Sequence, residues 1–298
     1  MSMFKPLLPQ FDLDNESAYQ QWREQKLLDY PTTIEQLIVE IRNPAQLSVA
    51  EREAMLQRIG KTNMVIFAGP TGGDPDKSIP LHLGKQFGLV SLDNNTGADN
   101  DGITSLEVKN DQWHSHYIPY SNRPIHWHTD GYYNDLTRQI FALQLHFVRP
   151  AAEGGANALM DHEIAYILIR DRDPALIEVL MRDDTMIIPE NRVDERVNRP
   201  DRSGPVFMAG AGGGALHMRY TARKRNVTWR QDTLTQQAVS ALDEILHADS
   251  TFIYRAILQS GQGLISNNVL HDRSGFDDDG DAPRLLYRLR YFDRVAAV

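Results

Sequence analysis

Residues 125–133 read IHWHTDGYY and place His126, His128 and Asp130 at every second position. Successive side chains of a β-strand point to opposite faces, so these three would share one face of a strand. Imidazole and carboxylate groups are common ligands of divalent transition metals. The spacing therefore indicates a strand that could present a His-x-Asp pair to a metal ion.

A metal ion needs a third protein ligand to be held selectively beside such a pair. The best candidate is His271, in the strand-like segment NNVLHDRSGF. Two histidines and one carboxylate on one face of an octahedral ion form the facial triad of non-haem Fe(II) oxygenases, which leaves three positions open. His126 would lie about 7 Å from His128 along the strand, so we expect it to contact substrate or a ligand rather than the metal.

Two arginines, Arg284 and Arg288, follow His271 in the segment PRLLYRLRYFDR. A separation of four residues places both side chains on one face of either a helix or a strand. Because guanidinium binds carboxylate in a bidentate manner, the pair indicates an anionic substrate or co-substrate beside the metal. Structural ion pairs with the many nearby aspartates are the alternative.

Helical patterns occupy the first part of the chain and a later insertion. NESAYQQWREQKLL begins at a cap candidate, Asn15, and SVAEREAMLQRIG has Ser48 as its cap and Gly60 at its end. The later region contains DHEIAYILIRDRDPALIEVLMRD, interrupted at Pro174, and RQDTLTQQAVSALDEILHAD. The polar, Gly-rich stretch between these two helical segments is predicted to be a mobile loop near the site, because loops of this length are commonly lids or binding loops.

Short runs typical of β-strands lie on both sides of that insertion. NMVIFAG, FGLVSL, GITSLEV, SHYIPY and QIFALQLHFVRP precede it, and GQGLISNNVLHDRSGF and PRLLYRLRYFD follow it. QIFALQLHFVRP alternates and is predicted to be half-buried, with Gln144 and His146 on its polar side. The Gly-rich run AGAGGGA matches no nucleotide-binding pattern and predicts a flexible turn. This order of elements favours one α+β or mainly β domain with a sandwich or barrel core.

The composition restricts the partners that the protein can have. Of 298 residues, 31 are basic and 40 acidic, and the net charge of −9 disfavours a broad contact with nucleic acid or anionic lipid. No cysteine is present, which excludes disulfides and thiolate ligands and fits a reducing compartment. No apolar run has the length of a membrane span. We expect a cytoplasmic protein that acts on a small molecule, without a nucleic-acid or membrane partner.

The candidate site residues occur in an order that resembles a known family. The order His128-x-Asp130, His271, Arg284-x-x-x-Arg288, with WHTDGYY, EGGANALMD and NMVIFAG, is similar to the taurine dioxygenase/TfdA (TauD/TfdA) family of Fe(II)- and 2-oxoglutarate-dependent dioxygenases. The resemblance covers roughly residues 60–294. It implies a mainly β (α+β) fold with a double-stranded β-helix core, the jelly roll of cupin-like proteins. Flanking helices over 1–60 and a helical insertion with a lid over about 160–250 would belong to one domain, 1–298.

The same resemblance implies roles for individual residues. The His-x-Asp pair and His271 would bind Fe(II), and Arg284 would bind the distal carboxylate of 2-oxoglutarate. Relatives commonly have a threonine after GG-x to help hold this carboxylate, whereas Asn157 stands at that position here and would have to replace it as the donor. Arg288 matches a position that contacts the co-substrate or an acidic substrate.

The implied reaction hydroxylates a C–H bond of a small anionic or zwitterionic substrate, using O2 and releasing succinate and CO2 from 2-oxoglutarate. His126, Tyr132 and Arg288 are candidate substrate contacts, as are Tyr133 and the basic segment RYTARKR. Two other interpretations stay open. One is a jelly-roll metalloenzyme, an isomerase or hydrolase, that does not use 2-oxoglutarate, and the other is a non-catalytic binding module with a vestigial site. A homo-oligomer is expected only at the level of the family.

Overall fold

The computed structural model describes residues 8–94, 98–109, 117–193, 196–210, 214–278, 280 and 282–295. Within these ranges the α-helices are α1 (Glu16–Leu27), α2 (Val49–Thr62), α3 (Ser78–Lys85), α4 (His162–Arg172), α5 (Pro174–Leu180) and α6 (Thr233–His247). The strands are β1 (Ile38–Glu40), β2 (Met64–Ala68), β3 (Thr104–Leu106), β4 (Ile125–His128), β5 (Ala142–Arg149), β6 (Glu153–Gly154), β7 (Asn157–Met160), β8 (Met186–Ile188), β9 (Asn191–Val193), β10 (Arg196–Arg199), β11 (Arg202–Gly204), β12 (Phe207–Gly210), β13 (Ala215–Met218), β14 (Thr228–Trp229), β15 (Tyr254–Ala256), β16 (Gln262–Ser266), β17 (Leu270–Arg273), β18 (Phe276–Asp277) and β19 (Leu285–Tyr291). The predicted mixture of helices and strands is confirmed.

The chain forms two compact units, each assembled from separate stretches of sequence. The first unit comprises Met1–Tyr30, Trp127–Gln139 and Met160–Ile253. The second comprises Pro31–His126, Ile140–Leu159 and Tyr254–Val298. A single domain over 1–298 therefore stays a prediction.

The largest sheet lies in the second unit and has the strand order β1-β2-β16-β5-β19-β3. β1 and β2 are parallel, and the other neighbours are antiparallel. One face packs against α2 and α3 through an apolar cluster that includes Met55, Ile59 and Leu83. Ser48 caps the start of α2, as predicted, and its side chain forms a capping box with Glu51. The helix continues past Gly60 and ends before Asn63, which takes the left-handed conformation.

Strand β5 is buried on both faces, so the prediction of a half-buried strand is wrong. Gln144 and His146 are both 0% exposed. Gln144 donates to the carbonyl of Pro80 in α3 at 3.0 Å, and His146 lies beside the rings of Phe67 and Tyr287. This face packs against α3 instead of facing solvent. The alternation of residues along one strand does not indicate that a helix covers it.

A second sheet has the strand order β15-β7-β17-β4. β15 and β7 pair antiparallel, and β17 is bonded to both β7 and β4. The Asp272 side chain of β17 accepts the backbone N–H of Ala158 in β7 at 2.9 Å. This order makes neighbours of the strand with His128 and the strand with His271, although they are far apart in sequence.

The first unit contains helices α1, α4, α5 and α6. α4 ends at Arg172 and α5 begins at Pro174, with Asp173 as its cap, so the predicted interruption is confirmed. α6 begins after Asp232, whose side chain accepts the N–H of Thr235. The faces of α4, α5 and α6 are lined by aliphatic residues that are fully buried, such as Ile164, Ile177, Leu242.

Three of the predicted loops and strands differ in the structure. The stretch between α5 and α6, predicted to be a loop, contains the paired strands β9 and β10, β11 with β8, and β12 with β13. β9, β10 and β11 are short and contain arginine, and β12 and β13 are only four residues long, so none of them shows an alternating pattern long enough to predict a strand. AGAGGGA joins β12 to β13, and residues 211–213 lie outside the described ranges.

The predicted strands FGLVSL and SHYIPY are wrong in their described parts. Leu92 forms only an isolated bridge with Tyr291, and Ile118–Tyr120 is a 3-10 helix, while residues 115 and 116 lie outside the described ranges. Among the described residues no helix combines the length and the apolar character needed to span a bilayer. The cytoplasmic location and the homo-oligomer stay predictions.

Candidate active site

The three predicted metal ligands converge in the structure. His128, Asp130 and His271 each offer one ligand atom, and these atoms lie within 4.8 Å of one another. His128 Nε2 and Asp130 Oδ1 are 3.8 Å apart. Two imidazoles and one carboxylate at this spacing could hold a divalent transition metal on one face of its coordination sphere.

The backbone on both sides of His128 is fixed by hydrogen bonds. Ala222 donates to the Trp127 carbonyl at 2.8 Å, and Thr129 donates to the Tyr220 carbonyl at 3.0 Å. The Thr129 hydroxyl also accepts the N–H of Tyr220 at 3.1 Å. The side chain of Trp127 is buried on the face opposite His128, as strand alternation predicts. These contacts anchor the backbone that carries His128 and leads into Asp130.

His271 is buried, and its ring orientation suits a metal ligand. Its Nδ1 lies 2.9 Å from the backbone carbonyl of Val269. Because a carbonyl can only accept, Nδ1 carries the proton and the lone pair belongs to Nε2. Together with the carboxylate of Asp130, which is 5% exposed, this donor set fits Fe(II).

Arg284 is a buried cation next to the glycines that precede Asn157. It is 3% exposed, and its guanidinium lies 5.3 Å from the ring centre of Phe147 and 5.0 Å from that of Phe276. A Cβ on Gly155 would come within 3.8 Å of its Nε. Burial lowers the pKa of Arg284 to about 10, against the opposing charge of Asp278, so it remains charged at neutral pH. The site can therefore receive an anion.

Comparison with known proteins assigns the chain to a family. Residues 26–290 match the family described as taurine catabolism dioxygenase TauD, TfdA family. The chain belongs to the TauD/TfdA family. A uridine-5'-phosphate dioxygenase of Streptomyces sp is 30% identical over 195 residues, which cover 64% of this chain and 69% of that relative. The predicted family, the dioxygenase class and the cofactors Fe(II), 2-oxoglutarate and O2 are confirmed.

Solved structures share the fold of this TauD/TfdA dioxygenase. The non-heme iron oxygenase OrfP in complex with Fe and alpha-ketoglutaric acid aligns with a TM-score of 0.58 and 16% identity, over 83% of this chain and 81% of that one. An asparagine oxygenase in complex with Fe(II), hydroxyasparagine and succinate aligns with a TM-score of 0.53 and 11% identity, over 86% and 94%. The family favours a dioxygenase over an isomerase, a hydrolase or a vestigial binding module.

Asn157 lies at the start of β7 and is buried in this TauD/TfdA dioxygenase. Its Nδ2 donates to the Asp272 carbonyl in β17 at 2.9 Å, while its Oδ1 has no hydrogen-bond partner among the described residues. One amide N–H of Asn157 thus holds its side chain against the strand that carries His271. Its role as a donor to 2-oxoglutarate stays a prediction.

The other predicted contacts are spread over several elements. Arg288 is half-buried on β19, where its neighbours across the sheet are Thr104 and Leu145. The hydroxyl of Tyr132 accepts the Nδ2 N–H of Asn226 at 2.7 Å. Their contact with substrate stays a prediction. His126 is exposed on β4, and its contact with substrate also stays a prediction.

The basic segment RYTARKR also contains a buried residue. Arg219 is 0% exposed and donates to the carbonyls of Tyr132, Met186 and Arg202. It therefore holds the backbone that follows the His-x-Asp pair, rather than contributing surface charge.

Arg273 was missed by sequence reasoning. It lies two residues after His271 on β17, is buried, and has its guanidinium 4.7 Å from the ring centre of Phe276. Burial and the charge of Arg284 lower the pKa of Arg273 to about 9. The signal was present in HDR, since a separation of two places both side chains on the same face of a strand.

Proposed function

We propose that this dioxygenase hydroxylates a C–H bond of a small anionic substrate, with Fe(II) bound by His128, Asp130 and His271. 2-Oxoglutarate would be consumed to succinate and CO2. The convergence of the three ligand atoms within 4.8 Å carries the proposal. We further infer that the sheets β1-β2-β16-β5-β19-β3 and β15-β7-β17-β4 are the two halves of a jelly roll, which their strand orders support.

Fe(II) would supply the activation of O2 that couples loss of CO2 to oxidation of the substrate. The chain would supply binding and orientation. His271 would coordinate through Nε2, because Nδ1 is held by the Val269 carbonyl. Arg284 would bind the distal carboxylate of 2-oxoglutarate through a charge-assisted, bidentate contact, which gains strength because the site is buried. Asn157 would donate its second amide N–H to the same carboxylate.

The substrate is proposed to carry an anionic group, and a nucleoside 5'-phosphate is the first class to test. Relatives with 30% identity are uridine-5'-phosphate dioxygenases. Arg288 supplies a half-buried cation on β19. This cation could bind a phosphate or a carboxylate.

The test is substrate-stimulated formation of succinate by the full chain with Fe(II), 2-oxoglutarate and O2. Uridine 5'-phosphate is compared with uridine, which lacks the anionic group, and with free arginine and asparagine. The proposal predicts that an anionic substrate stimulates the release of succinate. It also predicts that one molecule of product, with one added oxygen atom, forms for each succinate released. It also predicts that Asp130→Ala abolishes this release. Equal rates in the intact protein and Asp130→Ala would contradict the assigned ligands.

A further inference from the structure

Two buried guanidinium groups lie against one aromatic ring in the second unit. Arg273 is 5% and Arg284 3% exposed, and their guanidinium carbons lie 4.7 and 5.0 Å from the ring centre of Phe276. Phe276 is itself buried and lies on β18, between the two arginines in sequence. Two positive charges are thus held at one buried ring and away from water, and the charge of Arg284 acts on Arg273.

Neither charge is neutralised by a salt bridge with a described residue. Arg273 Nη2 donates to the carbonyls of Ser121, at 2.7 Å, and Arg123, while its buried Nε has no partner in the described part of the chain. The carboxylate that acts on both guanidiniums is Asp278, which accepts the backbone N–H of Arg284 at 2.9 Å. One carboxylate thus faces two buried guanidinium charges, and because buried charge that is not balanced is costly, the pair indicates a bound anion.

We propose that Arg273 is a second cationic residue of the 2-oxoglutarate pocket, where it adds its charge to that of Arg284 in holding the distal carboxylate. This inference rests on the proposed function, which assigns that carboxylate to Arg284. The two backbone hydrogen bonds to Ser121 and Arg123 fix the guanidinium in place, so its charge acts without loss of side-chain freedom on binding.

The test compares two co-substrates that differ in the distal group. 2-Oxopentanoate has the chain length of 2-oxoglutarate but carries a methyl group in place of the distal carboxylate. Both are titrated without O2 into the Fe(II)-loaded full chain, and binding is followed by the charge-transfer absorption of the metal complex. Arg273→Gln should raise the Kd of 2-oxoglutarate by about tenfold, the value of one charge-assisted contact. The Kd of 2-oxopentanoate should stay within about twofold, because no distal charge is present.

Three variants separate charge from structure. Arg273→Lys keeps the charge and should bind 2-oxoglutarate within about threefold of the intact protein. Asp278→Asn removes the opposing charge and should tighten 2-oxoglutarate by about threefold, again without effect on 2-oxopentanoate. Arg170→Gln is the matched control, because Arg170 is also buried and donates to backbone carbonyls, those of Gln10 and Asp12.

The outcomes distinguish this inference from the proposed function. A purely structural role for Arg273 predicts that Arg273→Gln weakens Fe(II) and both oxo acids equally, and this result would overturn the inference. The inference would also be overturned if Arg273→Gln and Asp278→Asn kept the preference for 2-oxoglutarate over 2-oxopentanoate unchanged while Arg284→Gln lost it. The proposed function would survive that result. If the intact protein itself showed no preference for 2-oxoglutarate over 2-oxopentanoate, the proposed function would fail first. Should Arg273→Gln not fold, Asp278→Asn and Arg273→Lys decide the matter.

Discussion

A buried histidine should make the stability of this protein depend on pH. His146 on β5 is fully buried, and neither ring nitrogen has a hydrogen-bond partner among the described residues. Its ring lies 6.0 and 6.4 Å, centre to centre, from those of Phe67 and Tyr287. Burial lowers the pKa of His146 from 6.5 to about 4, with the charge of Asp74 opposing the change.

The lowered pKa fixes the sign of the effect. The folded protein keeps the imidazole neutral, whereas the unfolded chain takes up a proton below pH 6.5. The contribution of His146 to the free energy of unfolding is therefore fully present above pH 6.5 and is lost as the pH falls towards 4. The difference between the two pKa values corresponds to about 3 kcal/mol in total, of which about 2 kcal/mol is lost between pH 7.5 and 5.

The perturbation is His146→Phe, since a phenyl ring can occupy the same place between the aromatic rings and does not titrate. Urea unfolding is measured at pH 7.5 and 5 for the intact protein, His146→Phe and His247→Gln, in which an exposed histidine of α6 is replaced. His146→Phe should lose about 2 kcal/mol less than the intact protein between these pH values. The reasoning would be refuted if the intact protein and His146→Phe lost equal free energy of unfolding between these pH values. It would also be refuted if His247→Gln reduced the loss as much as His146→Phe does.

Three smaller changes test the packing of the second unit. Gly263→Ala should destabilise the fold by about 3 kcal/mol in urea unfolding, because a Cβ there would collide with the Leu145 carbonyl and the Phe67 ring; a loss under about 1 kcal/mol would contradict this packing. Thr104→Val should raise the free energy of unfolding by about 1 kcal/mol, because the buried Thr104 hydroxyl has no hydrogen-bond partner among the described residues. A lower free energy of unfolding would show that the hydroxyl forms a hydrogen bond. Ser48→Ala should cost about 1 kcal/mol by removing the cap of α2, and an unchanged midpoint would argue against the capping box.

The convergence of the three proposed metal ligands could be predicted because part of their signal is local in sequence. His128 ends β4 and Asp130 follows two residues later, so the spacing alone was enough to predict that the two side chains meet. His271 needed the further knowledge that its strand, β17, is the neighbour of β4, which only the sheet order provides. Arg273 was missed because its burial depends on Phe276 and on carbonyls from the segment before β4, and such contacts leave no periodic pattern.

The errors in the fold have one common physical cause. The alternation of polar and apolar residues along a strand predicts which face could be exposed to solvent. Whether that face is exposed depends on the helices and strands that pack over it. Gln144 and His146 look like a solvent face, but α2 and α3 cover that side of the sheet. The strands β9 to β13 are only three or four residues long, and pairing with a neighbouring strand, rather than a long alternating pattern, identifies them as strands.

The most direct test of the central claim is the absorption spectrum of the full chain with Fe(II) and 2-oxoglutarate in the absence of O2. If His128, Asp130 and His271 hold Fe(II) and 2-oxoglutarate binds to it, a visible metal-to-ligand charge-transfer band should appear. The band should be absent from His128→Ala at the same protein, iron and 2-oxoglutarate concentrations. No band in the folded, intact protein, or a band of equal strength in His128→Ala, would contradict the account.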